Sequence, residues 1–139
     1  MIYRRKDIKN IFLILIFGWI LVGCAQPPTT AQLESANYGQ EIGQEEAEKI
    51  IKSWFQKRLK DPYSAQYEFQ KPYKGYVAQS PLIGEKNTHY GYMCNVGVNG
   101  KNSYGGYTGM SAYKFLINNG YIVFVLEKDA KSGNFLPAQ

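Results

Sequence analysis

The period of the hydrophobic positions changes along the chain, and each change marks a different predicted element. An apolar run covers 11–22 with one interruption at Gly18, and an irregular polar stretch follows to about residue 43. A helical period then begins near Gln44, and after Pro62 the period becomes two, which is typical of strands. The pattern predicts an apolar leader, a flexible connection and one domain that begins with a helix.

The helix is predicted over 44–60, where the apolar residues fall on one face. These residues are Ala47, Ile50, Ile51, Trp54, Phe55 and Leu59. Acidic residues at the start and basic residues at the end complement the helix dipole. Asp61-Pro62 ends the helix because the residue before a proline disfavours helical geometry. We interpret Trp54 and Phe55 as core residues.

The segment after the helix is predicted to form a sheet. The expected strands are 65–69, 73–78, 89–98, 112–117 and 121–127. A loop is expected at 79–88, a tight turn at 118–120 (Asn-Asn-Gly) and a loose tail from Lys128. The predicted fold is therefore α+β, with an N-terminal helix packed on an antiparallel sheet of about four to five strands in hairpin order.

The first residues have the layout of an export signal. Arg4, Arg5, Lys6 and Lys9 precede the twelve-residue apolar run of 11–22, which Gly18 interrupts. As a helix these twelve residues are roughly 18 Å long. A bilayer core is about 30 Å thick and needs a helix of about 20 residues to cross it. We therefore expect a cleavable leader rather than a permanent membrane span.

The segment 21–24, Leu-Val-Gly-Cys, resembles the lipobox that the lipoprotein signal peptidase cuts. The resemblance implies that 1–23 is a signal peptide and that Cys24 carries diacylglycerol and an N-acyl chain, with no other cofactor. The alternative is a secreted protein whose first mature residue happens to be cysteine. Two or three acyl chains make a durable membrane anchor. By analogy with Gram-negative lipoproteins, Ala25 in place of Asp favours the periplasmic side of the outer membrane.

Under this interpretation 24–43 is a lipidated flexible tether and 44–139 is a single α+β globular domain. The coil reach of such a tether would be roughly 25 Å. The charge also changes, because four of the sixteen basic and one of the eleven acidic residues precede Cys24. The remaining twelve and ten residues form no concentrated basic patch, so we expect no nucleic-acid partner. Cys94 is the only other cysteine, which excludes an internal disulfide and favours a core position.

Catalytic constellations are scarce, and we expect neither an enzyme nor a metal site. His89 is the only histidine, and Cys94 lies five positions away on the same predicted strand, so the two side chains point to opposite faces. The carboxylates Asp61, Glu68 and Glu127 belong to separate elements. An envelope hydrolase would require these carboxylates to converge in space.

The connector 99–109 is richer than a fold requires. Four glycines allow close backbone approach, and tyrosine supplies contact area at low entropic cost, a mixture that suits recognition of a peptide or a sugar. The alternative is a structural connector whose tyrosines fold back on the sheet. The candidate contact residues are Lys101, Asn102, Tyr104 and Tyr107.

Two segments together resemble a group of small, mostly uncharacterised exported bacterial proteins and lipoproteins. These are 61–67, Asp-Pro-Tyr-Ser-Ala-Gln-Tyr, and 99–109, Asn-Gly-Lys-Asn-Ser-Tyr-Gly-Gly-Tyr-Thr-Gly. Members carry "DPxSAxY" after a helix and "NAKNSYGGYTG" before a strand, and Gly100 stands where Ala is usual. The resemblance spans about 45–126; it implies a shared fold and carries over no catalytic residue.

These observations lead to three functional hypotheses. The first is a membrane-anchored envelope lipoprotein, a non-enzymatic binding or structural module that contacts a protein or peptidoglycan partner through 99–109. The second is a small hydrolase-inhibitor or immunity-type lipoprotein, and the third is an envelope hydrolase. The partner, the biological process and the oligomeric state stay open.

Overall fold

The computed structural model describes residues 27–79 and 87–138. The predicted leader, Cys24 and most of the predicted loop at 79–88 lie outside these ranges. The described elements are helices α1 (Thr30–Ser35) and α2 (Gln44–Gln56), a 3-10 turn (Pro62–Ser64), and strands β1 (Gln66–Phe69), β2 (Tyr73–Ala78), β3 (Thr88–Asn99), β4 (Ser111–Asn118), β5 (Tyr121–Lys128) and β6 (Phe135–Pro137). Neither of the described α-helices has the length and apolarity needed to cross a membrane.

The strands form one antiparallel sheet built around the long strand β3. β4 pairs with one edge of β3, and β1 and β2 share the other edge, with Gln66 opposite Asn99 and Tyr73 opposite Met93. The sheet continues from β4 to β5 and β6. The predicted α+β class with an antiparallel sheet is confirmed, and the sheet has six strands rather than four to five.

β1 and β2 follow each other in sequence but do not pair as a hairpin. The backbone N–H of Gln70 still donates to the carbonyl of Asn95 (3.0 Å), and the β3 pairing then resumes at Tyr73. Pro72 has no N–H to donate to β3. The proline therefore divides the hydrogen-bond ladder along this edge of β3 into a β1 part and a β2 part. The expectation of simple hairpin order is wrong at this point.

Helix α2 lies against one face of the sheet and closes the main core. Its buried residues Ala47, Ile51 and Phe55 belong to the same apolar cluster as sheet residues. On the sheet these are Tyr92, Cys94, Val96, Val98, Phe115 and Ile117. Trp54 is only half-buried, and the Arg58 guanidinium lies 3.8 Å from its ring centroid. The predicted core role therefore holds fully for Phe55 and in part for Trp54.

Helix α2 ends at Gln56, four residues before the predicted end. The backbone N–H groups of Arg58 and Leu59 both donate to the carbonyl of Phe55, each at 2.9 Å. This tight last turn uses up a terminal carbonyl and turns the chain away from the helix axis. Leu59 still packs against the core, which explains why it fits the helical period.

The prediction of a loose C-terminal tail is wrong, because the tail forms a turn and a short strand. Asp129 holds a reverse turn, because its carboxylate accepts from Ser132 N (2.7 Å) and its carbonyl accepts from Gly133 N (2.9 Å). The turn needs the positive φ of +71° at Gly133, which glycine adopts without strain. The chain then returns as β6, which pairs with β5.

The segment before α2 is also more ordered than a flexible tether. Helix α1 begins with a capping box between Thr29 and Gln32. The predicted tight turn at 118–120 is present, with positive φ at both central residues. It holds the incoming chain: Gln40 N donates to Asn119 Oδ1 (2.9 Å), and Asn118 Nδ2 donates to the carbonyl of Asn37 (3.2 Å). The contacts of the domain thus begin near residue 37 rather than 44.

The start of α2 is a place where the chain can be stabilised. Gly43 is the N-cap and makes no side-chain cap, its φ of −75° suits any L-residue, and a Cβ there meets nothing within 4 Å. Glu46 already occupies the third helical position of a capping box. We expect Gly43→Ser to raise the free energy of unfolding by about 0.5–1 kcal/mol, measured by urea denaturation. Gly43→Ala is the matched control, because it adds a Cβ without a hydroxyl; equal effects of the two changes would contradict the capping explanation.

Candidate functional site

The connector 99–109 forms a hairpin that extends the β3–β4 pair. Lys101 and Tyr107 make an isolated antiparallel bridge, and Asn102 N donates to the carbonyl of Gly106 (2.8 Å). Gly105 turns the tip with a φ of +80°, where glycine is the least strained residue. We call 99–109 the tyrosine hairpin. Backbone hydrogen bonds therefore join the two arms of the tyrosine hairpin to each other.

Asn102, one of the predicted contact residues, shapes the tip of the tyrosine hairpin. Its Oδ1 accepts from the backbone N–H of Tyr104 (2.9 Å) and of Gly106 (3.0 Å). This is the local side-chain-to-backbone bonding at which asparagine is effective in turns. Since both bonds use the same oxygen, the amide has a structural task before any partner binds.

We expect Asn102→Ala to loosen the tip while leaving the sheet intact. Two hydrogen bonds of about 1 kcal/mol each are lost in an exposed turn. Amide hydrogen exchange at Tyr104 and Gly106 is expected to accelerate by one to two orders of magnitude, while the amides of β3 and β4 keep their protection. Unchanged exchange at the tip would show that the side chain does not hold the turn. Thr108→Ala is the control, because its hydroxyl donates to the carbonyl of Gly100 at the base of the hairpin instead.

The tyrosine hairpin is fastened to the turn that follows α2. The Lys60 amine donates to Ser103 Oγ, and the Tyr107 hydroxyl donates to the carbonyl of Ser64 at 3.0 Å. The Lys101 amine lies 4.0 Å from an Asp61 carboxylate oxygen and 5.3 Å from the Tyr107 ring centroid. The structure thus brings the two segments of the sequence resemblance, 61–67 and 99–109, into contact.

Two tyrosine rings remain almost wholly in solvent at this end of the domain. Tyr104 is 97% exposed and Tyr63 is 92% exposed, whereas Tyr107 is 46% exposed because its hydroxyl reaches Ser64. Tyr63 was not among the predicted contacts. Its place in the 61–67 segment was the available signal, but only the tertiary fold shows that this segment lies beside 99–109. We call this end, formed by Tyr63, Tyr104, Lys60 and Lys101, the tyrosine pole.

The carboxylate of Asp61 serves the geometry of the tyrosine pole. The Ser64 hydroxyl donates to it at 2.6 Å and holds the pKa of Asp61 below its usual value, with smaller help from the Ser64 amide and the Lys101 charge. Asp61 therefore stays ionised at neutral pH and caps the 3-10 turn. It offsets only part of the positive charge of the two lysines nearby.

The remaining carboxylates of the hydrolase hypothesis do not converge. Glu68 pairs with Gly97 in the sheet and points away from the core face that holds Tyr67 and Phe69. Glu127 accepts from the Tyr113 hydroxyl (2.7 Å), on the side of the core. These two groups lie on opposite faces, so they cannot act together on one substrate bond. In 27–79 and 87–138 no three metal-ligating side chains lie together.

Cys94 and His89 also lie on opposite faces of β3, as the spacing predicts. Cys94 is fully buried in the core cluster, and its Sγ lies 3.6 Å from the carbonyl of Gln70. The His89 ring packs 5.4 Å from the ring of Phe124, on the other side. Burial raises the pKa of the Cys94 thiol to about 11, which disfavours the reactive thiolate.

The buried thiol makes the fold sensitive to alkali. The unfolded chain releases this proton near the ordinary value of 9.0, while the folded chain holds it to about 11. The unfolded state therefore binds fewer protons in that window, and stability falls as pH rises from about 9 to 11. Burial also raises the pKa of Tyr113, with the Glu127 hydrogen bond adding to it, so its effect has the same sign. Urea denaturation at pH 7, 9 and 10.5 measures how steeply the free energy of unfolding falls with pH. Cys94→Ala is expected to make this fall less steep. An unchanged pH dependence in the variant would exclude the thiol as its source.

Comparison of the chain with protein-family models, with curated proteins and with solved structures found no match.

Proposed function

We propose that this protein is a lipid-anchored protein of the bacterial envelope whose domain binds an envelope partner through the tyrosine pole. The observation that carries the proposal is the exposure of Tyr104 and Tyr63, at 97% and 92%, on a scaffold that is fixed by hydrogen bonds on both sides. Rings this exposed add little to the packing of the domain. Tyrosine is enriched at binding surfaces because its ring supplies contact area at low entropic cost.

The hydrogen bonds of the tyrosine hairpin support a binding role by lowering the entropy that binding would lose. The tip is held by Asn102, and the base is held by Tyr107 on Ser64. A side chain presented from a preorganised turn loses only its own rotamer freedom when a partner covers it. Of the four predicted contacts, Tyr104 is therefore the direct contact of this proposal and Lys101 a neighbouring one, while Asn102 and Tyr107 position the hairpin.

The export signal and the lipobox at Cys24 support the location. The charged start, the short apolar run and the Leu-Val-Gly-Cys segment are features of the sequence itself. In this proposal the mature chain begins at Cys24, its acyl chains hold it on the periplasmic side of the outer membrane, and α2 is the first long helix of the mature domain, packed on the sheet. The proposed role is non-enzymatic.

Site-specific photo-crosslinking in intact cells tests the binding role. The full-length protein carries a photo-reactive amino acid in place of Tyr104, and the matched control carries it in place of Tyr121, which is 76% exposed at the far end of the sheet. A discrete adduct from position 104 and none from position 121 supports the proposal. No adduct from position 104, or equal adducts from both positions, would refute it.

A second candidate function is inhibition of an envelope-attacking hydrolase such as lysozyme. The protruding tip with a fully exposed Tyr104 has the shape of a plug for an active-site cleft. The intact mature protein in detergent would then slow lysozyme action on cell walls, and Tyr104→Ala would abolish the effect. Absence of inhibition at a large molar excess excludes this candidate and leaves the first one standing.

A further inference from the structure

The two ends of the sheet differ in the segments that they contact. At one end the chain that arrives from the N-terminus is bonded to the 118–120 turn, through Asn37 and Gln40. At the other end β4 begins at Ser111, next to the tyrosine hairpin. The length of β4 separates the ends by roughly 23 Å, at about 3.3 Å per residue.

The length of the connection limits how the domain can sit on a membrane if Cys24 carries the lipid. From Cys24 to Thr29 the chain spans at most about 18 Å, α1 adds about 9 Å, and 35–37 adds at most about 7 Å, which is about 34 Å in all. Such a connection reaches the tyrosine pole only if it runs largely extended back along the sheet. With a bent connection the tyrosine pole lies farther from that membrane than the 118–120 turn does, so its partner lies in the space beyond the headgroups.

The surface chemistry at the tyrosine pole narrows the class of partner. The residues next to Tyr104 in the chain are asparagine, serine and glycine, so the neighbours of the ring at the tip supply hydroxyl, amide and backbone groups rather than apolar side chains. Protein hot spots usually lie within a surround of contacts that excludes water. Isolated tyrosine rings among hydroxyl and amide groups instead suit the face of a sugar ring, which offers C–H groups to the ring and hydroxyls around it.

The charge at the tyrosine pole indicates that the partner also carries carboxylates. Lys101 belongs to the tyrosine hairpin, and the Lys60 amine donates to Ser103 of the same hairpin. Asp61 is the one acidic residue of the stretch 57–64, and it is already shared with Ser64 and Lys101. The surplus of positive charge favours an anionic polymer.

We propose that the tyrosine pole binds the peptidoglycan strand, a polymer of amino sugars with carboxylate-bearing peptides, on the side of the domain that faces away from the lipid anchor. The rings of Tyr63 and Tyr104 contact the sugar faces, and the amines of Lys60 and Lys101 pair with peptide carboxylates. This inference rests on the proposed function and names its partner class.

Co-sedimentation of the purified full-length lipoprotein with isolated peptidoglycan sacculi, in detergent, is the first test. We expect Tyr63→Ala with Tyr104→Ala to lower the association constant at least tenfold, because a single aromatic contact contributes about a factor of ten. Lys60→Gln is expected to weaken binding and to reduce its salt dependence. Tyr121→Ala removes an equally typical exposed ring at the opposite end and is expected to change nothing. An equal loss in that control would overturn the assignment to the tyrosine pole, and the circular-dichroism spectrum of each variant shows whether it is folded.

The chemical nature of the adduct from position 104 separates failure of this inference from failure of the proposed function. An adduct that muramidase releases with an amino-sugar fragment supports the inference. An adduct with one defined protein overturns the inference but preserves the proposed function. An adduct with a phospholipid overturns the inference and also refutes the orientation derived above. If position 104 gives no adduct and sacculi bind nothing, both proposals fall.

Discussion

Phe55→Ala is expected to lower the free energy of unfolding by about 3–5 kcal/mol, the range for removal of a buried aromatic side chain. The Phe55 ring lies at the centre of the contact between α2 and the sheet, 5.1 Å from the ring of Tyr113 and 5.6 Å from that of Phe115. The ring of Tyr67 is 5.8 Å away. Truncation leaves a cavity that the three surrounding rings cannot fill together, because they belong to two strands, β1 and β4, of one hydrogen-bonded sheet.

Urea denaturation followed by tryptophan fluorescence measures this effect, since Trp54 lies next to the site at 4.9 Å between ring centroids. A small domain has a total stability of about 5–15 kcal/mol, so the variant is expected to be close to unfolded at 37 °C. Phe55→Leu is the conservative control and is expected to cost clearly less. Tyr63→Ala removes a ring of similar size from solvent and is expected to change stability by less than about 0.5 kcal/mol. A loss below 1 kcal/mol in Phe55→Ala would contradict the described core.

Cys24→Ala is expected to abolish lipid attachment completely, because the thiol of this residue is the proposed acceptor of the diacylglycerol. Each buried methylene contributes about 0.8 kcal/mol to membrane binding, so losing two or three acyl chains removes the durable anchor. Incorporation of labelled palmitate into the protein is therefore expected to fall to background. The variant is also expected to retain its leader, since the lipobox no longer contains its cysteine.

The matched control for this prediction is Cys94→Ala, which removes the other cysteine of the chain. Cys94 is buried in the core, so this variant is expected to be labelled as the natural sequence is, with some loss of stability. Palmitate incorporation is the decisive readout, because an uncleaved apolar leader can hold a protein in the membrane fraction without any lipid. An unmodified Cys24 or an intact leader in the mass spectrum of the natural protein would contradict the lipoprotein assignment.

The candidate site shows how far residue types lead without geometry. The glycines and tyrosines of 99–109 predicted a contact segment, and Tyr104 is the more exposed of its two tyrosines, at 97% against 46% for Tyr107. The same reasoning placed Asn102 and Tyr107 beside Tyr104 as equal contacts. Their hydrogen bonds, to the tip and to Ser64, make them part of the scaffold. A list of polar and aromatic residues does not distinguish a side chain that faces a partner from one that holds a turn.

Periodicity predicted the elements well where one face of an element meets the core. The strand boundaries of β2 to β5 agree with the prediction to within one or two residues, and the α2 face is correct, because burial on one side imposes a period that single residues reveal. The 118–120 turn was also predicted correctly, since its conformation depends on Asn and Gly alone. Local chemistry was sufficient in these cases.

Interactions between distant residues decided the rest. Leu59 fits the helical period, yet the helix ends at Gln56, because the final turn tightens onto the carbonyl of Phe55. β6 and the order of 37–42 depend on partners about ten and eighty positions away, and no local pattern encodes them.

The amino-acid sequence by itself determined the α+β class, the antiparallel sheet and the segments with unusual chemistry, because periodicity, turn residues and glycine content are local properties. Only the tertiary structure placed Lys60, Asp61 and Ser64 against 99–109 and the N-terminal chain at the opposite end. The physical reason is that these contacts join residues about forty or eighty positions apart, and their geometry follows from how the helix and the sheet pack together.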